Sequence, residues 1–166
     1  MKELPADLLY DKLVLDTSNY YPSRDGRIAE LDSNAKTTSE LVQDWLGEAH
    51  LVKALNNILA RHIPLLARPT GAPDRSALPI ASNGAQAKRE ASAMIDQLGF
   101  DTLDAGALGD SRRFESESAG YTRVYLADPS TPDDQVMTAN PGPTSAHKIN
   151  VALASGTRVT VAGRVF

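Results

Sequence analysis

The sequence predicts an α/β fold, a mostly parallel sheet with helices on its faces. Two observations predict it. Short apolar runs occur near residues 13–16, 50–55, 77–81 and 100–105, each bounded by polar or turn residues. Between them lie stretches whose apolar residues recur at helical spacing, so that strand and helix alternate along the chain.

The elements follow in order. Leu13-Val14-Leu15 is a continuous apolar run closed by Asp16, the pattern of a strand buried on both faces. Thr17 to Arg24 reads as loop, and Asp25-Gly26 as a turn. Thr37 and Glu40 have capping-box spacing, and Leu41, Trp45 and Leu46 share one face of the helix that follows, with Gly47 at its end. His50 to Leu55 is the second strand. A helix is predicted from Asn57 to about Ala67, with Pro64 kinking or ending it. Ala77-Leu78-Pro79-Ile80-Ala81 is the third strand, placed at an edge or bulge because Pro79 has no N–H to donate. Asn83 is predicted to cap a helix over 85–98, whose buried stripe is Ala87, Ala91, Met94, Ile95 and Leu98. Phe100 to Ala105 is the fourth strand. Tyr121 to Ala127 fits helix or strand, and Asp128 to Pro143 reads as loop. Thr144 or Ser145 caps a last helix to about Ala154. The tail alternates Val159, Val161 and Val165, as a paired strand or a disordered end would.

Composition narrows the function classes. The 166 residues suit one domain of ordinary size, and 42% hydrophobic with 23% charged residues is a globular balance. A net charge of −4 argues against nucleic acid as a partner. The chain has no cysteine, which excludes disulfides and thiolate metal sites and fits a reducing, cytoplasmic setting. No apolar run reaches the roughly 20 residues of a membrane helix, so no membrane partner is expected. Met1 to Pro5 has no apolar stretch of signal-peptide type.

Few residues announce chemistry on their own. His50, His62 and His147 are too scattered for a metal site, and none is expected. Ser39, Ser76 and Ser111 lack a nucleophile-elbow context. Lys53 reads as a solvated charge, or as a group reaching a phosphate. Arg112, Arg113 and Arg123 read as surface ion-pair formers, or as partners for an anionic cofactor tail. Tyr20-Tyr21 reads as a packed aromatic pair. Asn19 and Asn56 suit turns or caps as well as a pocket.

Four segments taken together carry a resemblance. They are Leu15-Asp16-Thr17-Ser18-Asn19-Tyr20-Tyr21-Pro22, Val52-Lys53-Ala54-Leu55-Asn56-Asn57, Ala77-Leu78-Pro79-Ile80-Ala81 and Asp104-Ala105-Gly106-Ala107-Leu108. In this order and spacing the chain resembles the deazaflavin-dependent NADP reductase family, from about Pro5 to Leu126. The resemblance implies a Rossmann-type fold that binds NADP(H). It implies hydride transfer between the nicotinamide and a deazaflavin or flavin-type redox partner, with no catalytic acid or base from the protein. It places Thr17, Ser18 and Asn19 near the nicotinamide ribose, and Ala54 and Asn56 around the ring. Ala105, Gly106 and Leu108 would offer backbone groups to the carboxamide.

One departure from the family matters. Its first strands and its G-x-G-x-x-G loop have no counterpart in these residues. The expectation is therefore a partial Rossmann-type domain over 1–127 and a C-terminal extension over 128–166, incomplete as an enzyme by the family's standard of a whole cofactor site. A misplaced start, a truncated gene and a short form completed by a second copy or another subunit all fit. The strand at Leu13 would then be an uncovered sheet edge, open to homodimer formation. The alternative to an enzyme is a non-catalytic α/β module that associates through this edge.

Overall fold

The computed structural model describes residues 6–156 and 159–161. Residues 157, 158 and 162–166, on which most of the tail expectation rests, lie outside the described residues. The elements with helical or strand hydrogen bonding are β1 (Leu13–Asp16), α1 (Pro22–Asp25), α2 (Ala29–Asp32), α3 (Thr38–Leu46), β2 (His50–Lys53), α4 (Ile63–Leu66), β3 (Ala77–Ile80), α5 (Ala85–Gln97), β4 (Asp101–Asp104) and α6 (Ala146–Ser155). Short 3-10 turns join several of them. Mixed helix and parallel sheet is therefore the observed class.

β1 pairs in parallel with β2, and β3 with β4. The two pairs meet at a single antiparallel bridge, in which Lys53 and Ala81 exchange backbone hydrogen bonds of 2.8 and 3.1 Å. Pro79 explains why they meet only there. Ser76 and Ile80 turn their carbonyls to β4, accepting from Asp101 N and Ala105 N, so residues 77, 79 and 81 face the other way. On that side Ala77 N donates to the Thr144 carbonyl at 2.8 Å and Ala81 N to Lys53. Pro79 falls between them with no donor to satisfy, at the place where the sheet is interrupted.

α5 lies over the sheet and buries Ala87, Ala91 and Ile95 against Val52, Leu78, Ile80 and Phe100. α6 brings Ile149 and Leu153 into the same core. On the opposite side α3 packs Val42 and Leu46 onto Val14, Leu51 and Leu108. The α3 capping box forms as predicted, with Thr37 Oγ1 accepting from Glu40 N and Glu40 Oε2 from Thr37 N. Ser145 caps α6 by accepting from Lys148 N, while Thr144 is fully buried and spends its groups on Val124 O and Ser76 Oγ.

Several predicted elements differ. The helix expected over 57–67 is a turn and a 3-10 turn at Ala60–His62, then the single turn of α4. Leu55 takes a left-handed φ of 60°, Asn57 spends its amide on Gly120 O, and Pro64 sits at the start of α4 rather than kinking a longer helix. Asn83 does not cap α5; its Oδ1 accepts from Leu108 N, and Gly84 holds the cap position with no side-chain bond. Met94 and Leu98 are exposed, so the buried stripe of α5 is narrower than predicted. The 17–36 stretch contains two helical turns, α1 opened by Pro22. Tyr121 to Ala127 is mainly a 3-10 turn over Thr122–Tyr125, and the loop beyond carries another over Asp133–Thr138.

Gly99 shows how tightly α5 meets the strand after it. Its φ is +95°, and a Cβ there would lie 2.9 Å from both Ala67 Cβ and Arg68 N. Gly99→Ala combines an unfavourable φ with a backbone clash, and is expected to lower unfolding free energy by about 2 kcal/mol or more in urea titration. Gly71→Ala, also at positive φ but in open space, should cost less.

Candidate functional site

The site begins where β1 and β2 end together. Their register sets Asp16 beside Lys53. The Lys53 side chain is 0% exposed and that of Asp16 4%, with Nζ 3.2 Å from Oδ2. Asp16 also accepts from Ser39 Oγ at 2.5 Å and Ser18 N at 2.9 Å, and Lys53 donates to the Ser18 carbonyl. Burial by itself would raise the Asp16 carboxyl. The Lys53 ammonium and the bonds from Ser18 and Ser39 outweigh it and hold the group below its ordinary value. Lys53 is therefore not the solvated charge that a lone lysine suggests. Its partner is the acid that closes the neighbouring strand, 37 residues earlier.

Just beyond the pair, both chains turn. Leu55 bends the exit of β2 so that Asn56 reaches back to the exit of β1. Asn19 Nδ2 donates to Asn56 O at 2.8 Å, and Asn56 Nδ2 to Asn19 Oδ1 at 3.2 Å and Phe114 O at 2.9 Å. Asn57 Nδ2 donates to Gly120 O at 2.7 Å. These bonds orient both amides, and leave Asn56 Oδ1 and Asn57 Oδ1 buried without a donor. A buried acceptor without a partner is uncommon and points to strain or to an absent donor.

Thr17, Ser18 and Asn19 line a cavity of about 1230 Å³. Its apolar wall comes from Ile28, Leu31, Leu41 and Trp45, and its polar wall from Tyr121 and Thr122. The Tyr121 hydroxyl lies 2.9 Å from that of Tyr21 and 3.3 Å from Asn19 Nδ2. Burial, reinforced by Tyr21, pushes its pKa above the ordinary tyrosine value, so it remains a neutral hydroxyl. At the rim Arg24 stands 5.3 Å from the centre of the Tyr21 ring and donates to Asn19 O and Asp25. Arg123, also at the rim, pairs with Asp133. Arg112 and Arg113 lie 3.7 and 3.8 Å from Asp110.

The residues named from the sequence divide into two groups. Thr17, Ser18 and Asn19 line the cavity, and Asn56 joins them through Asn19. Ala54, Ala105, Gly106 and Leu108 do not line it. Their backbone groups already have internal partners. Ala54 N donates to Asp16 O and Ala105 N to Ile80 O. Gly106 N donates to Asp104 Oδ1, and its carbonyl accepts from Ser82 N at 3.1 Å. Leu108 N donates to Asn83 Oδ1 and its carbonyl accepts from Thr37 Oγ1. Tyr121 and Arg24 were not singled out by sequence reasoning. Tyr121 lies in a stretch of ambiguous periodicity, 102 residues from Asn19. No helix among the described residues is long and apolar enough to cross a membrane.

No protein-family model matches the chain, and no curated protein matches it. Among solved structures it is similar to a hypothetical protein from Sinorhizobium meliloti, at 25% identity and a TM-score of 0.53, covering 68% of this chain and 56% of that one. A protein from an Arthrobacter species, described as a candidate factor-420-dependent NADP reductase, aligns at 28% identity and a TM-score of 0.49, covering 63% and 47%. The chain thus spans about half the length of these solved structures. The first likeness shows a shared fold over the aligned part.

Two outcomes follow from the buried pair. Lys53→Met leaves the Asp16 carboxylate without its cation and should cost about 3–5 kcal/mol in denaturant titration, whereas Asp16→Leu with Lys53→Met should cost less than the two single changes added. Because the folded Asp16 carboxyl sits below its ordinary 3.8, its stabilisation is complete above that pH and is lost as pH falls through the folded value. Asp16→Asn should therefore flatten the fall in melting temperature between about pH 5 and about pH 2.

Proposed function

We propose that this chain supplies the nicotinamide end of an NADP(H)-dependent oxidoreductase site on a Rossmann-type fold. The redox partner is a deazaflavin or a flavin-type acceptor. The observation that carries this reading is the Asn19–Asn56 contact. Two asparagines that the family resemblance assigns to the ribose and to the ring of one nicotinamide, 37 residues apart in sequence, meet at the ends of two parallel strands beside a large cavity. Ligands of open α/β sheets bind outside the carboxyl ends of the strands, where these residues lie. The strand-end wall brings an amide and hydroxyls and the facing wall apolar groups, with Arg24, Asp25, Glu117, Arg123 and Asp133 also lining the cavity. On this reading the hydride passes directly between two rings, so that none of these charged groups need act as acid or base. Thr17, Ser18 and Asn19 would approach the ribose, with Asn56 behind Asn19 at the side of the ring. Contacts to the pyrophosphate are not assigned, since no G-x-G-x-x-G loop occurs in the 166 residues.

A second reading is favoured by one observation. The backbone groups of Ala105, Gly106 and Leu108 that would meet the carboxamide are bonded within the chain. That suits an α/β module that keeps this arrangement for structure alone.

Calorimetry with NADPH separates the two, on the 166-residue chain and on a version extended upstream where the reading frame allows. Binding that Asn56→Ala and Asn19→Ala each weaken by roughly tenfold supports the cofactor reading, the size expected for losing one good hydrogen bond. No binding by either version favours the module.

A further inference from the structure

We propose that residues 20–32 form a rigid flap on the cavity, and that Val161, downstream of α6, is the latch that holds it closed. The segment carries one wall of the cavity, through Tyr20, Tyr21, Arg24, Asp25, Ile28 and Leu31.

The segment is bonded to itself. The Tyr20 hydroxyl is its hub. It donates to Asp32 Oδ1 at 2.7 Å, lies 3.0 Å from Gly26 O and accepts from Ile28 N at 3.0 Å. Asp25 accepts from Tyr21 N at 3.0 Å and pairs with Arg24, and Arg27 lies 3.4 Å from Asp32. The two ends are thereby held together, as in an Ω-loop packed by its own side chains. Moving such a segment as one unit breaks none of these bonds, so these polar groups keep their partners. At its exit Asn34 takes a left-handed φ of 58°, outside the closed unit, and supplies a hinge.

The apolar attachment of the segment is apart from the main core. Tyr20 and Leu31 are buried with Leu41 of α3 and Val161, and Ile28 and Trp45 pack beside them. This cluster shares no residue with the one beneath α5. A segment held by few buried apolar contacts opens at lower cost than the core. Val161 is 1% exposed, and all five residues of its cluster line the cavity. Three of them, Tyr20, Ile28 and Leu31, belong to the flap, and two, Leu41 and Trp45, to α3. Val161 therefore ties the flap to a helix that is itself packed on β1 and β2. On its other side the flap meets Tyr121 through the 2.9 Å hydroxyl contact of Tyr21. Release of Val161 lets the flap swing from α3 and opens the apolar side of the cavity. Docking of Val161 closes it, whichever ligand the cavity takes.

The test uses the 166-residue chain, which has no cysteine, so spin labels attach only where cysteines are introduced. Ser23, Glu30 and Asp134 are exposed. Ser23→Cys with Asp134→Cys places one label on the flap and one across the cavity, next to Asp133 of its lining. Ser23→Cys with Glu30→Cys places both labels on the flap. Pulsed electron resonance then reads each distance. Val161→Asp should add a population several ångströms longer to the cross-cavity distance and leave the distance within the flap unchanged. Should Val161→Asp not fold by circular dichroism, Val161→Ala takes its place, with a smaller longer-distance population expected. A cross-cavity distance that does not change overturns the latch. Broadening of both distances overturns the rigid flap, because the segment would then be unfolding rather than swinging. NADPH takes no part in this readout, so the cofactor reading can fail while the flap stands, and the reverse.

Discussion

The Asp16–Lys53 pair is the constraint on which the rest of the architecture turns. Two charges are held at the exits of adjacent parallel strands with almost no access to water. Such burial is unfavourable unless every remaining polar position is met. Here Ser39 brings α3, Ser18 brings the first turn after β1, and the Lys53 backbone is tied to Ala81 at the end of β3. One strand end is thereby fixed to a helix, a loop and the second pair of strands. A slip of β1 against β2 by one residue would separate the charges and turn each strand's apolar set to the wrong face. The pair thus specifies register as well as joining elements.

Much of this order was readable in the sequence. Leu13–Asp16 was legible as a strand because it is apolar throughout and closed by an acid. The Thr37–Glu40 box was legible because its bonds are local, between residues three apart. Pro79 marked the interruption of the sheet because a missing donor has the same consequence in any fold. The fate of Lys53 was less legible, since a lysine after an apolar run is ordinarily a solvated end. The signal was present all the same. Asp16 and Lys53 each follow a short apolar run, and a parallel pairing of those runs aligns them.

The 114–145 region was least legible, for a physical reason. It is held by side chains bonding to distant backbone. Asn56 reaches Phe114 O, Asn57 reaches Gly120 O, and Tyr125 donates to Ala77 O. These partners lie 58, 63 and 48 residues apart, so no local periodicity records them. The same long-range bonds ended the helix predicted over 57–67. Asn57 there serves the loop rather than a helix, and Leu55 accepts a left-handed conformation that costs roughly 1–2 kcal/mol. Asn83 was diverted from capping α5 in the same way, to hold Leu108 N.

The candidate site inherits both kinds of order. Thr17, Ser18 and Asn19 owe their position to the end of β1, and so to the buried pair. Tyr121 owes its position to the loop that Asn56 and Asn57 tether. The cavity lies between them, so neither kind of order alone would make it. This division explains why one wall was named from the sequence and the other was not. The strand-end wall is set by register, which leaves a pattern of apolar runs. The Tyr121 wall is set by amide-to-carbonyl bonds across the fold, which leave none. Asn56 belongs to both, with its amide nitrogen committed to Asn19 and Phe114 and its oxygen left without a donor. That oxygen is held by the walls on either side, so its orientation depends on the two kinds of order together.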